Sequence, residues 1–348
     1  MRSGAVVRSR GSRAVRCPLR RFGPPMLVKL FAGASIAIAL ASVAPGALAQ
    51  RDYPNRPIRL LTPFAPGGGT DILSRLLGPQ VSEALGQPIV VDNRPGGGGT
   101  LGAGIAVRAD PDGYTLITVS GSYGANAALH HLSYDSVKDI TPIILIGETC
   151  LVVTMNPKSP IKSIKEMIAY AKANPGKLNF GSAGVGGLGH LAQELFRIQT
   201  GVQITHVPYK GTGPVMTALL TGEVQSSFSS LVPAIPHIKA GRLYPIGVTT
   251  PWRSDALPDV PTIGETVPGY EVVHWYGIWG PKGIPANIAT RLNREFAKVL
   301  GTDAMRKWLA NEGMRPAGGP PEQFLNRIRS DVEKWKKVVK EANIPVEP

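Results

Sequence analysis

The chain has 348 residues, 43% hydrophobic and 18% charged, with 41 Gly and 32 Pro spread along it; this excludes a coiled coil, a collagen-like rod and wholesale disorder. The formal charge of +14 points to nucleic acid only until its location is considered. Residues 1–49 carry eight Lys or Arg and no acid, and without them 30 basic face 24 acidic side chains, a net of +6 over 299 residues, so no nucleic-acid partner is expected.

From Met26 the chain reads MLVKLFAGASIAIALASVAPGALAQ, with a charged Lys29, an apolar run at 30–44 and Ala47-Leu48-Ala49 before Gln50. These are the parts of a secretory signal peptide, residues 26–49, with cleavage expected after Ala49. Pro45 and Gly46 end the apolar run before the about 20 residues that a membrane span needs. Residues 1–25 form a basic extension ahead of a second plausible start at Met26, and Gly23-Pro24-Pro25 after Arg20-Arg21 makes a poor twin-arginine signal. Cys17 leaves with the leader, so Cys150 stands alone and no internal disulfide is expected. The mature chain is expected to be a soluble, monomeric, periplasmic protein.

Beyond residue 50, short β-branched runs alternate with helix-period segments. Strands are predicted at 58–62, 89–91 and 115–119, and helices at 72–85 and 101–109. Further on, Ser163 and Glu166 form a capping box for a helix to about 174, followed by a strand at 178–181 and a helix at 188–200. A strand at 204–207, a helix opened by Pro214 and stopped by Gly222, and strands at 224–228 and 244–248 complete a second α/β set. The C-terminal third reads as helices at 286–300 and 322–342, the latter with Phe324, Leu325, Ile328, Val332, Trp335 and Val339 on one stripe. Parallel strands joined by helices follow from this alternation. The expected architecture is two α/β lobes, 50–149 plus 276–348 and 150–275, with crossings near 147–155 and 271–279.

Two glycine-rich loops each lie between a predicted strand and a predicted helix. The first is Pro63-Phe64-Ala65-Pro66-Gly67-Gly68-Gly69-Thr70-Asp71 and the second Gly181-Ser182-Ala183-Gly184-Val185-Gly186-Gly187-Leu188-Gly189-His190. Absent Cβ atoms let a ligand approach the backbone, and the helix start behind presents free N–H groups and a partial positive charge, which together make a small-anion site. Asp71 is either part of that site or a first-turn residue favoured by the dipole. Gly184, Gly186 and Gly189 fit the spacing GxGxxG, as do Gly97, Gly99 and Gly102, but the region 204–210 lacks the acid that a dinucleotide site requires. No cofactor is expected. There is no GxSxG, GxxxxGK[ST] or HExxH, and the six His are scattered, so neither a catalytic constellation nor a metal site is predicted. His130-His131 reads as a solvated pair, the hydroxyls and Lys210 of Tyr209-Lys210-Gly211-Thr212-Gly213-Pro214 as anion contacts with a solvated Lys210 as the alternative, and the aromatic run His274-Trp275-Tyr276-Gly277-Ile278-Trp279 as interface packing or a pocket wall.

The order of leader, PGGGTD, GSAGVGGLGH, HVPYKGTGP and YGIWGPKGIP resembles the Bug-type periplasmic receptors of tripartite tricarboxylate transporters over about residues 51–345. The resemblance implies an α/β periplasmic binding protein of the Venus flytrap type, with a mainly parallel sheet in each lobe and a small carboxylate held in the cleft between them. Delivery of that ligand to membrane permease subunits follows from the same likeness. By position in the family's loops, it points to Phe64, Ala65, Gly68, Thr70 and Asp71 in one lobe and to Ser182, Ala183, Gly184, Gly187 and His190 in the other. Ser120, Ser122, Asn126, Tyr209, Phe228 and Trp275 are the further ligand-choosing positions. The competing readings are a secreted serine hydrolase using Ser120, Ser122 or Ser182, for which no base is recognisable, and a ligand sensor for a signalling partner.

Overall fold

The computed structural model describes residues 53–341 and residue 344; the basic extension, the signal peptide with its cleavage site, and Cys17 lie outside them. β1 (Ile58–Thr62), α1 (Gly69–Leu85), β2 (Ile89–Asn93), α2 (Thr100–Val107), β3 (Thr115–Ser120) and α3 (Ser122–Leu129) come first. β4 (Ile140–Met155) leads to α4 (Ile164–Ala173), β5 (Asn179–Ser182), α5 (Leu188–Thr200), β6 (Thr205–Pro208), α6 (Thr212–Thr221), β7 (Ser226–Ser230), α7 (Leu231–Lys239) and β8 (Tyr244–Val248). β9 (Val273–Pro281), α8 (Ala286–Leu300), α9 (Asp303–Asn311), β10 (Arg315–Pro316) and α10 (Pro321–Glu341) follow.

Among the described residues the strands run in the order β2-β1-β3-β9-β4-β7-β5-β6, with β8 and β10 also on β4. β1 pairs in parallel with β2 and β3, and β5 with β6 and β7, as the strand-helix alternation requires. Between these groups β9 and β4 run antiparallel to each other and to their outer neighbours, so the sheet is mixed. The two expected crossing segments are this pair: Glu148 lies opposite Trp275, and Cys150 opposite Val273. Residues 151–155 of β4 then pair with β7, which makes one 16-residue strand common to both halves.

Local chemistry explains most boundaries. Ser163 accepts from the Glu166 N–H at 3.2 Å, while the Glu166 carboxylate reaches back to the Lys162 N–H rather than to Ser163 itself, so the box is formed one residue out of register. α1 begins three residues before the predicted start, because Gly69, Thr70 and Asp71 already form its first turn. α3, α7 and α9 were not foreseen; α7 carries Pro233 and Pro236, and α3 has little polar–apolar contrast.

Helices cover both faces of each half. Leu73, Leu77, Leu292 and Phe296 pack with Ile58 and Leu60 on one face of the first half, and Phe180, Phe196, Phe228 and Tyr270 fill one face of the second. α10 joins them. Its Phe324, Ile328 and Val332 pack with Trp275 and Trp279, whereas its Trp335 and Val339 enter the cluster around Phe180. A buried polar group fixes this strap: Asp331 accepts from the Trp275 indole N–H at 2.5 Å and faces Arg327 at 3.4 Å, and Arg327 reaches Glu148 at 2.8 Å. Burial pushes the Asp331 carboxyl up, against the Arg327 charge and the indole hydrogen bond. Asp331→Ala leaves the indole N–H and part of the guanidinium charge without a partner. It is expected to lower stability by about 3 kcal/mol, read as a lower urea midpoint at unchanged slope, and Asp331→Asn, which keeps an acceptor, is expected to cost less.

Candidate functional site

Strands in both halves end at one cleft. A small cavity lies there, and five helices start at its wall. Gly68, Gly69 and Thr70 bring the start of α1, Ser122 that of α3, Leu188 and Gly189 that of α5, Thr212 that of α6, and Ser230 the residue capping α7. Each start carries free N–H groups and a partial charge of about +0.5, so the cavity is electropositive although no Lys, Arg, Asp or Glu lines it.

The remaining wall is hydroxyl and apolar. Ser120, Ser227 and Ser229 join Phe64, Leu151, Val215 and Phe228, and the floor is His274 and Tyr276 of β9. Burial, with some help from the Arg327 charge, pushes His274 down to about 3, so its ring is neutral at ordinary pH. Its Nε2 lies 3.2 Å from Ser230 Oγ, and its Nδ1 is buried without a partner. Burial raises the Tyr276 phenol, whose hydroxyl points at α1: a Cβ on Gly69 would lie 1.9 Å from that oxygen. Ser230 stands near Tyr276 but is turned to His274, and the Tyr276 hydroxyl has no well-directed bond.

Of the residues named from sequence, the structure gathers Phe64, Gly68, Thr70, Ser120, Ser122, Ala183 and Phe228 around the cavity. Others shape the loops. Asp71 accepts from the Gly67 N–H and from Asn93 and pairs with Arg75. Ser182 bonds within its own loop at Gly184 and meets His206 Nε2 at 2.5 Å. His190 accepts from the Gly186 N–H and stacks on His206 at 4.1 Å, and Gly187 turns its N–H to the Gly184 carbonyl. Asn126 donates to the Gly98 carbonyl, Ala65 donates to Lys210, and Tyr209 bonds Glu223 on an outer groove. Trp275 is placed away from the cavity, because strand neighbours alternate sides: its indole goes to Asp331, while His274 and Tyr276 face the cleft. Those two residues were named only within an aromatic run read as interface packing or a pocket wall, Gly69 and Thr212 only within their loops, and the serines of β7 were missed. Parity along β9 could have placed the first two, but the strand is buried on both faces and shows no polar–apolar alternation.

The Ser182–His206 contact is not a nucleophile pair. Ser182 is buried, and desolvation together with the His190 ring depresses His206 to about 4, leaving it a weak base. Among the described residues no His, Cys, Asp and Glu cluster could hold a metal, Cys150 is free and buried, and no helix is long and apolar enough to cross a membrane.

Contacts between the halves close the cleft. Ser122 Oγ accepts from the Leu188 N–H at 3.0 Å, so a residue of the first half caps α5, whose own N-cap, Gly187, has no side chain. Gly98, at φ 59°, lies so near the second loop that a Cβ would come within 2.3 Å of the Val185 carbonyl oxygen. Gly98 and Gly102 therefore serve close backbone approach, the latter against Pro63.

The model of the tripartite tricarboxylate transporter family receptor, TctC, matches residues 73–344. The chain belongs to this family. Its fold is that of the periplasmic binding proteins, and the family consists of transporter receptors, which bind rather than catalyse. Protein BugT of Bordetella pertussis (strain Tohama I) is 34% identical over 319 residues, covering 90% of this chain and 98% of BugT. The structure of R. palustris Rpa4515 with adipate is 37% identical, with a TM-score of 0.81 over 84% of this chain and 99% of that one. MatC from Rhodopseudomonas palustris with bound malate is 33% identical, with a TM-score of 0.79 over 82% and 100%.

Two outcomes are expected from this TctC-family cleft. Ser122→Ala removes a cap that exists only when the halves meet. It should leave circular dichroism unchanged and weaken calorimetric binding of any acid held in the cleft about fivefold, equivalent to about 1 kcal/mol. The second concerns acid. His274 and His206 are held below their ordinary 6.5, so the unfolded chain takes up protons that the native chain refuses. Stability is then complete above pH 6.5 and falls towards pH 4 by about 1.4 kcal/mol per unit for each ring; urea midpoints that stay level across that window would contradict it.

Proposed function

We propose that the protein is an extracytoplasmic receptor that closes around a short dicarboxylate and passes it to the membrane components of a tripartite transporter. The observation that carries this reading is the convergence of five helix starts on a cavity without a charged side chain. Such a site favours anions by fixed dipoles. It disfavours amines, since no carboxylate lines the wall to pair with an ammonium group. Rpa4515 with adipate and MatC with malate support the choice of a dicarboxylate.

In this reading residues 50–149 plus 276–348 form one lobe and 150–275 the other, and the chain acts as a periplasmic monomer after cleavage at Ala49. Phe64, Gly68, Thr70, Ser120, Ser122 and Ala183 contact the ligand, and Asp71, Ser182, Gly184, Gly187 and His190 hold the two loops in shape. Charge-assisted hydrogen bonds contribute roughly 1.5–3 kcal/mol each, so a handful offset the cost of closure and leave micromolar affinity. The cavity holds no bidentate Arg. A receptor built this way can also release its cargo.

Calorimetric titration of the purified protein with succinate, malate, adipate, citrate, glutamate and lysine tests the proposal. At least one dicarboxylate should bind in the micromolar range and lysine should not, with a smaller radius of gyration by X-ray scattering in the bound state. Absence of binding by every di- and tricarboxylate would overturn it.

A further inference from the structure

We infer that α3 carries a latch with a built-in brake: Ser122 and Asn126 hold the second glycine loop across the cleft, while Asn126 Oδ1 and His130 Nε2 are buried unpaired by the same closure and so favour release. The inference rests on the proposed receptor function and adds a control of release that lies outside the ligand cavity.

Ser122 and Asn126 stand one turn apart on α3, and His130 ends the helix a turn later with its N–H on the Asn126 carbonyl. All three meet the loop before α5. Ser122 Oγ accepts the Leu188 N–H, and a Cβ on Gly186 would lie 3.0 Å from Asn126 Oδ1 and 2.0 Å from His130 Nε2. Asn126 also donates to the Gly98 carbonyl at 3.0 Å, which holds Gly98 against the same loop: a Cβ on Gly184 would lie 3.1 Å from the Gly98 Cα. α3 follows β3 of the first half and the loop follows β5 of the second, so parting the halves parts these contacts. His130, half of a pair that reads as solvated in sequence, is thus a seam residue, and His131 alone is exposed.

The seam is not fully satisfied. Asn126 Oδ1 and His130 Nε2 are buried, and neither has a hydrogen-bond partner among the described residues. With the halves parted both atoms face water; on closing they give up those bonds and gain none, and a buried polar group left unpaired costs more than a made bond returns. The cap on Leu188 and the hold on Gly98 act in the opposite direction. Neither Asn126 nor His130 lines the ligand cavity, so His130 is a positioning residue that acts on the ligand through closure.

Calorimetry first selects whichever of succinate, malate, adipate and citrate the purified parent binds most tightly, and that acid is the probe. His130→Leu keeps a side chain at the seam without the unpaired nitrogen. It should bind the probe about fivefold more tightly, with stopped-flow release slowed by about the same factor and association within about twofold of the parent. A side chain that merely packs at the seam would give release as fast as the parent's or faster, and either result overturns the inference. Gly98→Ala tests the seam itself, since its Cβ would come within 2.3 Å of the Val185 carbonyl oxygen, a backbone atom that cannot swing aside. Alanine reaches the left-handed φ of 59° at modest cost, so circular dichroism should match the parent. Its binding should fall about tenfold or more, and its radius of gyration with the probe should stay at the unliganded value. Binding at the parent's level would overturn the latch while leaving the receptor reading intact. If the parent binds none of the four acids, the receptor reading falls and this inference with it.

Discussion

The antiparallel pairing of β4 with β9 is the constraint on which the molecule depends. β4 has 16 residues, pairs first with β9 and β10 and then with β7 and β8, and so belongs to both halves. β9 hangs the parallel strands of the first half on this spine through β3. α10 locks it from behind, with Asp331 on the Trp275 indole and Arg327 on Glu148. Because side chains alternate along a strand, fixing Trp275 into the core fixes His274 and Tyr276 into the cleft. The packing of the back determines the chemistry of the front.

The front presents helix dipoles and no cationic side chain. Five helix starts, serine and threonine hydroxyls and a neutral imidazole surround the cavity. Fixed N–H groups need no side-chain ordering to point at an anion, and they carry no full charge that must be desolvated when the cleft shuts. An arginine fork would hold a carboxylate more strongly. Weak, numerous and preorganised donors suit a protein that must alternate between capture and release.

Closure rests on a few small contacts: Ser122 on the Leu188 N–H, Ala65 on the Lys210 carbonyl, and the glycine loop 97–99 against 184–187. Each is worth about 1 kcal/mol, comparable with the loss of a helix cap. In the proposed receptor these contacts set a closed form against an open one. A ligand that touches both halves can then decide between them, since only differential affinity shifts an equilibrium.

Local sequence determined the elements and the kind of site. Hydrophobic period, glycine punctuation and caps placed α5, α8, β1 and β8 at the observed residues, because these signals act over a single turn or strand. The two glycine-rich loops before α1 and α5 were legible as helix starts for the same reason. What sequence could not supply was direction and company. Trp275 read as a ligand-choosing residue from its position in the family likeness, but which side of β9 faces inward depends on α10, more than fifty residues away. Asp71 and His190 sit in the right loops, yet their side chains answer to Asn93, Arg75 and His206, which only the fold brings near. Ser229 and Ser230 carry no distinguishing signal in sequence and, like Thr212, reach the cavity because β6 and β7 end beside β5. Local backbone chemistry specified the glycine-rich helix starts; the pocket was decided by long-range strand order and side-chain parity, which no local signal encodes.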